Sequence, residues 1–344
     1  MAKVDAPAGG EGGAAELVFD HVTKRYPGRS EPAVNSLSLV VPAGEICVLV
    51  GPSGGGKTTA MRMVNRLIDI TEGDITIEGR SVREMELTEL RRGIGYVIQQ
   101  VGLFPHMDVA GNISVVPRLL GWDRARISAR VDELLDLVGL DPEQDRGRYP
   151  AELSGGQRQR VGLARAMAAD PPLMLMDEPF GAIDPITRDR LQNEFLRLHR
   201  EIRKTVIFVT HDIDEAIKMG DRIAILRQGG VLAQYATPDE ILASPADDFV
   251  ASFVGADRGL KRLSLTRLAD LDLEPPPTNG ATDGAPTATE TTSLRDALSL
   301  MLTNGGRPLV VLGADARPVG TVTVDMVSAT LSNGGGRRPA GTAP

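Results

Sequence analysis

A glycine-rich loop between an apolar segment and a helical pattern constrains the fold of this chain more than any other feature. The loop matches the pattern GxxxxGK[ST] and consists of Gly51, Pro52, Ser53, Gly54, Gly55, Gly56, Lys57 and Thr58. Glycines let backbone N–H groups approach phosphates without a Cβ, and the N-terminus of the following helix adds partial positive charge. Lys57 can reach the β- and γ-phosphates, and the Thr58 hydroxyl can ligate Mg²⁺. We therefore predict a nucleoside-triphosphate site with Mg²⁺ rather than a structural glycine turn.

Short apolar runs alternate with helical patterns along most of the chain, which is typical of an α/β fold. The predicted strands are 45–50, 74–77, 95–98, 173–176, 205–210 and 222–226. The predicted helices are 57–68, 125–138, 157–169, 185–204 and 213–219.

Two carboxylates close one of these apolar runs, which reads LMLMDE over 173–178. Ligands of parallel sheets bind at the carboxyl ends of the strands. We expect Asp177 to hold Mg²⁺, directly or through water, and Glu178 to orient and polarise an attacking water. A solvated strand end is the alternative, and the phosphate loop argues against it.

A second candidate anion site precedes the helix predicted at 157–169. It reads Leu153, Ser154, Gly155, Gly156 and Gln157, a hydroxyl and two glycines ahead of a helix. A simple helix cap is the alternative interpretation. From the residues alone, the need for two such loops in one chain has no explanation.

The order of these motifs, followed by His211, resembles the ATP-binding subunit of an ABC transporter over about residues 17–255. The resemblance implies a P-loop NTPase core, a helical subdomain at about 104–165 and an antiparallel β subdomain. It also implies a head-to-tail homodimer, in which the second loop of one copy closes on the ATP bound by the other. This arrangement would explain the two loops.

The resemblance assigns further residues to ATP and Mg²⁺. Tyr26 would stack on adenine, Thr59 would join the nucleotide contacts, and Asp184 would act across the dimer. Gln99 would contact Mg²⁺ and the water and couple to the membrane partner, although Gln100 can shift that alignment by one. The expected catalytic residues are Glu178, His211, Gln99 and Lys57, with His211 on the γ-phosphate.

The segments 99–122 and 247–263 resemble the subfamily that energises uptake of glycine betaine, proline, choline and carnitine. This resemblance implies an integral-membrane permease as partner, an extracytoplasmic solute-binding protein as indirect partner, and a peripheral location on the cytoplasmic face of the plasma (inner) membrane. Another ABC importer subfamily, a soluble ABC ATPase and a non-hydrolysing binder are the alternatives.

The C-terminal part predicts a smaller second module. We expect residues 1–15 to be disordered, 16–255 to form the ATP-binding domain, 256–292 to form a connector and Pro/Thr-rich linker, and 332–344 to form a disordered tail. Residues 293–331 resemble a single CBS motif of mixed α and β structure. Thr323 and Asp325 lie where such motifs can bind a ribose, at a shorter spacing than usual.

Composition excludes some partners and locations. The net charge is −8 and aromatic residues make up 3%, which is unsuited to general nucleic-acid binding. The N-terminal segment has no apolar stretch of the secretory type, and no apolar run is long enough for a membrane helix. The single cysteine, Cys47, is expected to pack in the strand before the loop and suits a reducing cytoplasm.

Overall fold

The computed structural model describes residues 13–98, 102–181, 183–276 and 285–332. By contacts between Cα atoms, the chain divides between Thr237 and Pro238 into two compact units. Within the described ranges, every helix is too short or too polar to cross a bilayer.

In its described residues, the first unit contains ten strands. They are β1 Leu17–Lys24, β2 Val34–Val41, β3 Ile46–Val50, β4 Glu72–Ile77, β5 Arg80–Ser81, β6 Ile94–Val97, β7 Leu173–Asp177, β8 Thr205–Val209, β9 Arg222–Arg227 and β10 Val231–Ala236. One sheet has the order β10-β9-β3-β8-β7-β6 and is parallel except for the β9–β10 pair. The other has the order β2-β1-β4-β5 and is antiparallel, as expected for the β subdomain.

Nine α-helices accompany these sheets in the part of the first unit that the structure describes. They are α1 Lys57–Val64, α2 Leu87–Arg92, α3 Val109–Ile113, α4 Val115–Leu119, α5 Arg124–Leu137, α6 Pro142–Asp145, α7 Gly155–Met167, α8 Pro185–Ile202 and α9 Ile213–Met219. Helices α3 to α7 form the predicted helical subdomain, in which α3 and α5 both pack on α7.

The centre of the parallel sheet explains where a ligand can bind. Strands β3, β7 and β8 are buried along their whole length, as in a sheet covered on both faces. They are neighbours and parallel, so the segments that follow Val50, Asp177 and Val209 meet at one edge of the sheet. Cys47 is fully buried in β3 as predicted, and burial raises the pKa of its thiol to about 12.

The second unit contains α10 Pro238–Ala243, α11 Asp248–Val254, α12 Arg258–Leu263, β11 Thr287–Thr289, α13 Leu294–Thr303, β12 Leu309–Leu312, β13 Pro318–Val322 and α14 Val324–Ser332. The last four reproduce the predicted order of helix, strand, strand and helix. Strands β11, β12 and β13 form one sheet in that order. Thr323 stands just before α14, and its Oγ1 accepts a hydrogen bond from the Met326 N–H.

Several predicted boundaries differ from the structure. The first compact unit ends at Thr237 rather than near 255. The predicted connector contains α12 and β11, and its Leu263 and Leu268 are buried in the core of the second unit. Ala15 was predicted to be disordered, but it is buried, and its carbonyl oxygen accepts a hydrogen bond from the buried Thr205 hydroxyl at 2.6 Å. Residues 1–12, 277–284 and 333–344 lie outside the described residues.

Two further differences have local causes. The helix predicted over 57–68 ends at Val64, because Arg66 adopts a left-handed φ of 51° that a helix does not allow. Strands β1 and β2 were not predicted from the sequence. Four of the eight residues of β2 are exposed, so it lacks the continuous apolar run that marks β3, β7 and β8.

Candidate functional site

The glycine-rich loop connects β3 to α1, as the sequence predicted. At two of its positions a neighbouring backbone segment lies so close that only glycine fits. Gly51 has φ +150°, and a Cβ there would lie 2.1 Å from the carbonyl oxygen of Leu226. Gly56 has φ +75°, and a Cβ there would lie 2.2 Å from the carbonyl oxygen of Ala33. Larger residues at either position would displace the backbone that has to wrap around phosphates.

Lys57 opens α1 and is buried beneath this loop. Its Nζ donates hydrogen bonds to the carbonyl oxygens of Gly51 at 2.7 Å and Pro52 at 3.0 Å. Burial lowers the pKa of Lys57, whereas the charges of Glu178 and Asp177 raise it. The ammonium group is therefore held inside the loop, close to two carboxylates.

Asp177 ends β7 and is held at both carboxylate oxygens. Its Oδ1 accepts a hydrogen bond from the Thr58 hydroxyl at 2.9 Å, and its Oδ2 accepts one from Arg62 Nη2 at 3.3 Å. Thr58 and Asp177 thus place hard oxygen atoms side by side at the loop, which suits Mg²⁺. No group of three or more His, Cys, Asp or Glu side chains that could enclose a metal occurs in the described part of the chain. Mg²⁺ commonly uses one or two protein ligands with phosphates and water, so this donor set fits it.

Arg62 and Tyr96 are site residues that the sequence did not reveal. Burial alone lowers the pKa of Arg62, but its hydrogen bond with Tyr96 and the charge of Asp177 outweigh burial and raise the pKa overall. Arg62 therefore remains a cation beside the buried carboxylate. Arg62 lies in the last turn of α1, where a basic residue is also expected from the helix dipole, and neither residue belongs to a recognisable motif.

Glu178 follows β7 and faces His211, which follows β8. The Glu178 Oε1 and His211 Nδ1 atoms are 3.2 Å apart. The backbone of Glu178 has a left-handed φ of 44°, and its N–H donates to the carbonyl oxygen of Val209 at 2.9 Å. This bond links the ends of β7 and β8, so it fixes the two side chains relative to each other.

A cleft of about 800 Å³ beside the loop contains the predicted adenine contact. Tyr26 lines it together with Gly54, Gly56 and Thr59. The Lys24 ammonium lies 5.2 Å from the centre of the Tyr26 ring, within cation–π range. The structure therefore brings an aromatic ring and the phosphate loop into one cleft of nucleotide size.

The second predicted loop lies elsewhere on the surface. Ser154 caps α7: its Oγ accepts a hydrogen bond from the Gln157 N–H at 3.2 Å, and Gln157 Oε1 accepts one from the Ser154 N–H at 2.9 Å. Ser154 and Gly155 are exposed, and Gly156 and Gln157 are half-buried. Among the described residues that line the cleft, none comes from this loop.

Asp184 is the N-cap of α8 and is also exposed. Its Oδ1 accepts a hydrogen bond from the Thr187 N–H at 3.0 Å, and this bond lowers the pKa of the carboxyl group. It is likewise absent from the described lining of the cleft. Gln99 and Gln100 lie outside the described residues, so the role of Gln99 stays a prediction.

Comparison with known proteins places these features in a family context. Residues 34–181 match the family model described as ABC transporter. The chain is 51% identical to the osmoprotectant import ATP-binding protein OsmV of Salmonella typhimurium, over 89% of this chain and 78% of that protein. It is 56% identical to the glycine betaine/carnitine/choline transport ATP-binding protein OpuCA of Bacillus subtilis, over 70% of this chain but only 63% of that protein.

A solved structure shows the same core. The ATP-binding cassette MJ0796, a dimer in a post-hydrolysis state bound to ADP and Pi, superimposes with a TM-score of 0.57 at 32% identity. The match covers 64% of this chain and 98% of that one.

Proposed function

The chain belongs to the ATP-binding subunits of ABC transporters, and we propose that it hydrolyses ATP to drive import of osmoprotectants through a membrane permease. One observation carries the ATPase part: Lys57, Asp177, Glu178 and His211 converge where β3, β7 and β8 end. The solute class is supported by the relatives, which are named for osmoprotectant, glycine betaine, carnitine and choline transport.

ATP binds with its adenine against Tyr26 and its phosphates in the glycine-rich loop. Lys57 then donates its hydrogen bonds to phosphate oxygens instead of the carbonyl oxygens of Gly51 and Pro52. The negative charges of Glu178 and Asp177 favour the charged form of Lys57, so its ammonium group faces the phosphates. Backbone N–H groups at the start of α1 complete the phosphate contacts.

Thr58 and Asp177 would hold Mg²⁺, and Gln99 is a further predicted ligand. When bound, the ion neutralises developing charge on the β- and γ-phosphates. Arg62 keeps the second oxygen of Asp177 engaged, so the carboxylate presents Oδ1 toward Thr58. Such supporting contacts orient metal ligands in other sites.

Glu178 accepts a proton from the attacking water and orients it, while His211 contacts the γ-phosphate. The 3.2 Å separation between Glu178 Oε1 and His211 Nδ1 puts the base and the phosphate contact within reach of one reacting group. Catalysis of this kind depends mainly on positioning and charge stabilisation.

A second copy of the chain completes each site. The exposed start of α7 at Ser154 and the exposed Asp184 are anion-binding and polar surfaces that the cleft of their own chain does not use. A head-to-tail homodimer would bring them onto the ATP of the partner. The dimeric state described for MJ0796 supports this arrangement.

The solute passes through a different protein. We place the chain on the cytoplasmic face of the plasma membrane, docked to a permease and served indirectly by an extracytoplasmic solute-binding protein. The relatives support this assignment, because they are named as import or transport ATP-binding proteins.

The Glu178→Gln variant tests the ATPase assignment. We expect it to bind ATP as tightly as the wild type but to hydrolyse it at least about 10²-fold more slowly, because it lacks the general base. Phosphate release gives the rate, and binding of a fluorescent ATP analogue gives the affinity. Wild-type turnover in this variant would remove Glu178 from its assigned role.

Uptake into proteoliposomes that contain the co-purified permease, with the solute-binding protein present, tests the solute class. Radiolabelled glycine betaine, choline and carnitine should accumulate with ATP and the wild-type chain, but not with Glu178→Gln. Accumulation of an unrelated sugar or amino acid instead would assign the chain to another ABC importer subfamily.

A further inference from the structure

One arginine joins helix α7 to the segment that follows Gln99 in the chain. Arg165 lies in the last turn of α7, and its Nη1 donates a hydrogen bond to the carbonyl oxygen of Gly102 at 2.7 Å. Its guanidinium carbon also lies 5.8 Å from the centre of the Phe104 ring, within cation–π range. Hydrogen bonds from charged donors are stronger than neutral ones, so this contact holds residues 102–104 on α7.

A basic residue near a helix C-terminus can serve only to stabilise the helix dipole. At this helix another arginine bonds the terminal carbonyl groups: Arg130 of α5 donates to the carbonyl oxygens of Met167 at 3.0 Å and Ala168 at 3.4 Å. The hydrogen bond of Arg165 goes instead to a separate segment. Burial lowers the pKa of Arg165, and burying a guanidinium costs free energy that a helix-end contact at the surface would not.

The segment that accepts this hydrogen bond is fixed at further points. Asn112 of α3 is fully buried, and its Oδ1 accepts a hydrogen bond from the Phe104 N–H at 2.7 Å. Its Nδ2 lies 3.1 Å from the carbonyl oxygens of Phe104 and Met107 and 3.0 Å from that of Asp108, and donates to them. Residues 104–108 are therefore bound to α3, which packs on α7.

The hydrogen bond of Arg165 also lies next to the stretch that carries Gln99. Gly102 has a left-handed φ of 53°, and a Cβ there would lie 2.3 Å from Ile98 Cδ1. Ile98 directly precedes Gln99 in the sequence. The two residues that border the stretch 99–101 thus lie close together, and Arg165 holds one of them.

We propose that Arg165 is a positioning residue that links the exposed start of α7 to the stretch that carries Gln99. The inference rests on the proposed function, in which Ser154 meets the ATP of the second copy and Gln99 contacts Mg²⁺ and the attacking water. Ser154 caps the start of α7, and Arg165 bonds Gly102 from its last turn, a helix length of about 20 Å apart. A shift of α7 on arrival of the partner is then transmitted to the stretch that carries Gln99.

Replacing Arg165 tests this link through the rate of phosphate release by the full chain. Arg165→Met keeps an apolar stem without a donor and should lower kcat by about 2- to 30-fold, because the stretch that carries Gln99 is no longer held on α7. KM for ATP should stay within about 2-fold, since neither Arg165 nor residues 102–108 belong to the described lining of the nucleotide cleft.

Arg165→Lys is the conservative variant. It keeps a cation that can donate to the carbonyl oxygen of Gly102, so it should recover kcat to within about 3-fold of the wild type. A role confined to filling space would give the same kcat for the methionine and lysine variants.

Arg130→Met is the matched control. It removes an arginine that bonds the same end of α7, but the described contacts of Arg130 do not reach residues 102–108. Its kcat should therefore remain within about 2-fold of the wild type. All rates are measured below the unfolding temperature of each variant.

Hydrogen exchange of the full chain, measured by mass spectrometry, gives a result that does not depend on hydrolysis. The amides of residues 102–108 should exchange at least about 5-fold faster in Arg165→Met than in the wild type, because the segment opens locally without the bond at Gly102. In Arg130→Met they should exchange at the wild-type rate.

The proposal would be overturned by wild-type kcat in Arg165→Met, by equal losses of kcat in Arg165→Met and Arg130→Met, by unchanged exchange of residues 102–108 in Arg165→Met, or by no recovery in Arg165→Lys. Failure of the proposed function is distinct. The wild type itself would then hydrolyse no ATP, and the coupling role would fall with it, whereas the exchange rates of residues 102–108 would still distinguish the two arginines.

Discussion

Each ionisable group of the nucleotide site is held by a neighbour. Lys57 is bonded to loop carbonyls, Asp177 to Thr58 and Arg62, and Glu178 lies against His211. Groups fixed before the substrate arrives need little reorganisation during the reaction, which is the main source of electrostatic catalysis. The side chains that we propose for phosphoryl transfer are therefore already held in place by their neighbours.

Tyr26 gives a prediction at this scale. Replacing it with Ala should weaken ATP binding by about 5- to 150-fold, since stacking of a base on an aromatic ring contributes about 1–3 kcal/mol. Tyr26→Phe keeps the ring and should bind ATP like the wild type. Titration with a fluorescent ATP analogue measures both.

Inorganic triphosphate provides the control for Tyr26. It lacks a base, so Tyr26→Ala should bind it as tightly as the wild type does. Equal weakening for ATP and triphosphate would mean that Tyr26 shapes the loop rather than contacting adenine.

Among the secondary-structure elements, three neighbouring parallel strands explain why distant motifs form one site. β3, β7 and β8 are separated along the chain but pair side by side. Their carboxyl ends deliver Lys57, Asp177 and His211 to the same edge of the sheet. The helices that follow are capped by residues of the same motifs, as Asp184 caps α8.

The segment before α13 gives a prediction for the second unit. Leu268 is fully buried in its core, so Leu268→Ala should lower the free energy of unfolding of this unit by about 2–5 kcal/mol. Leu302→Ala is the matched control, because Leu302 of α13 is 61% exposed and should change the stability by less than about 0.5 kcal/mol. Differential scanning calorimetry of the full chain measures both.

Equal effects of the two leucine substitutions would contradict this account. They would mean that the segment around Leu268 is a connector, as its sequence suggested, rather than part of the folded core of the second unit.

The sequence predicted the elements with strong local signals. Buried runs such as 173–176 are apolar throughout, and the glycine loop has a fixed spacing, so strands and motif were recognisable. Contacts between segments that are distant in the chain could not be recognised from the sequence. Arg62 meets Asp177 across 115 positions, and Leu268 packs against residues beyond 293. Local patterns contain no information on such pairings, which arise only when the sheet and the second unit assemble.

At the scale of the whole molecule, we propose that one chain supplies half of each hydrolysis site. Its cleft contains the loop and Tyr26, whereas Ser154 and Asp184 stand exposed at the starts of α7 and α8. In a dimer, the phosphates of the ATP bound by the second copy would lie against these exposed helix N-termini. Association should therefore depend on bound ATP.

Sedimentation velocity of the Glu178→Gln variant, which is expected to bind ATP without hydrolysing it, distinguishes an ATP-dependent dimer from a monomer. With ATP and Mg²⁺ we expect a particle of twice 36.7 kDa, and without nucleotide a particle of 36.7 kDa. The double variant Ser154→Arg/Glu178→Gln should still bind ATP but sediment as the monomer, because the arginine side chain blocks the N-terminus of α7. A 36.7 kDa particle for Glu178→Gln saturated with ATP and Mg²⁺ would contradict the account.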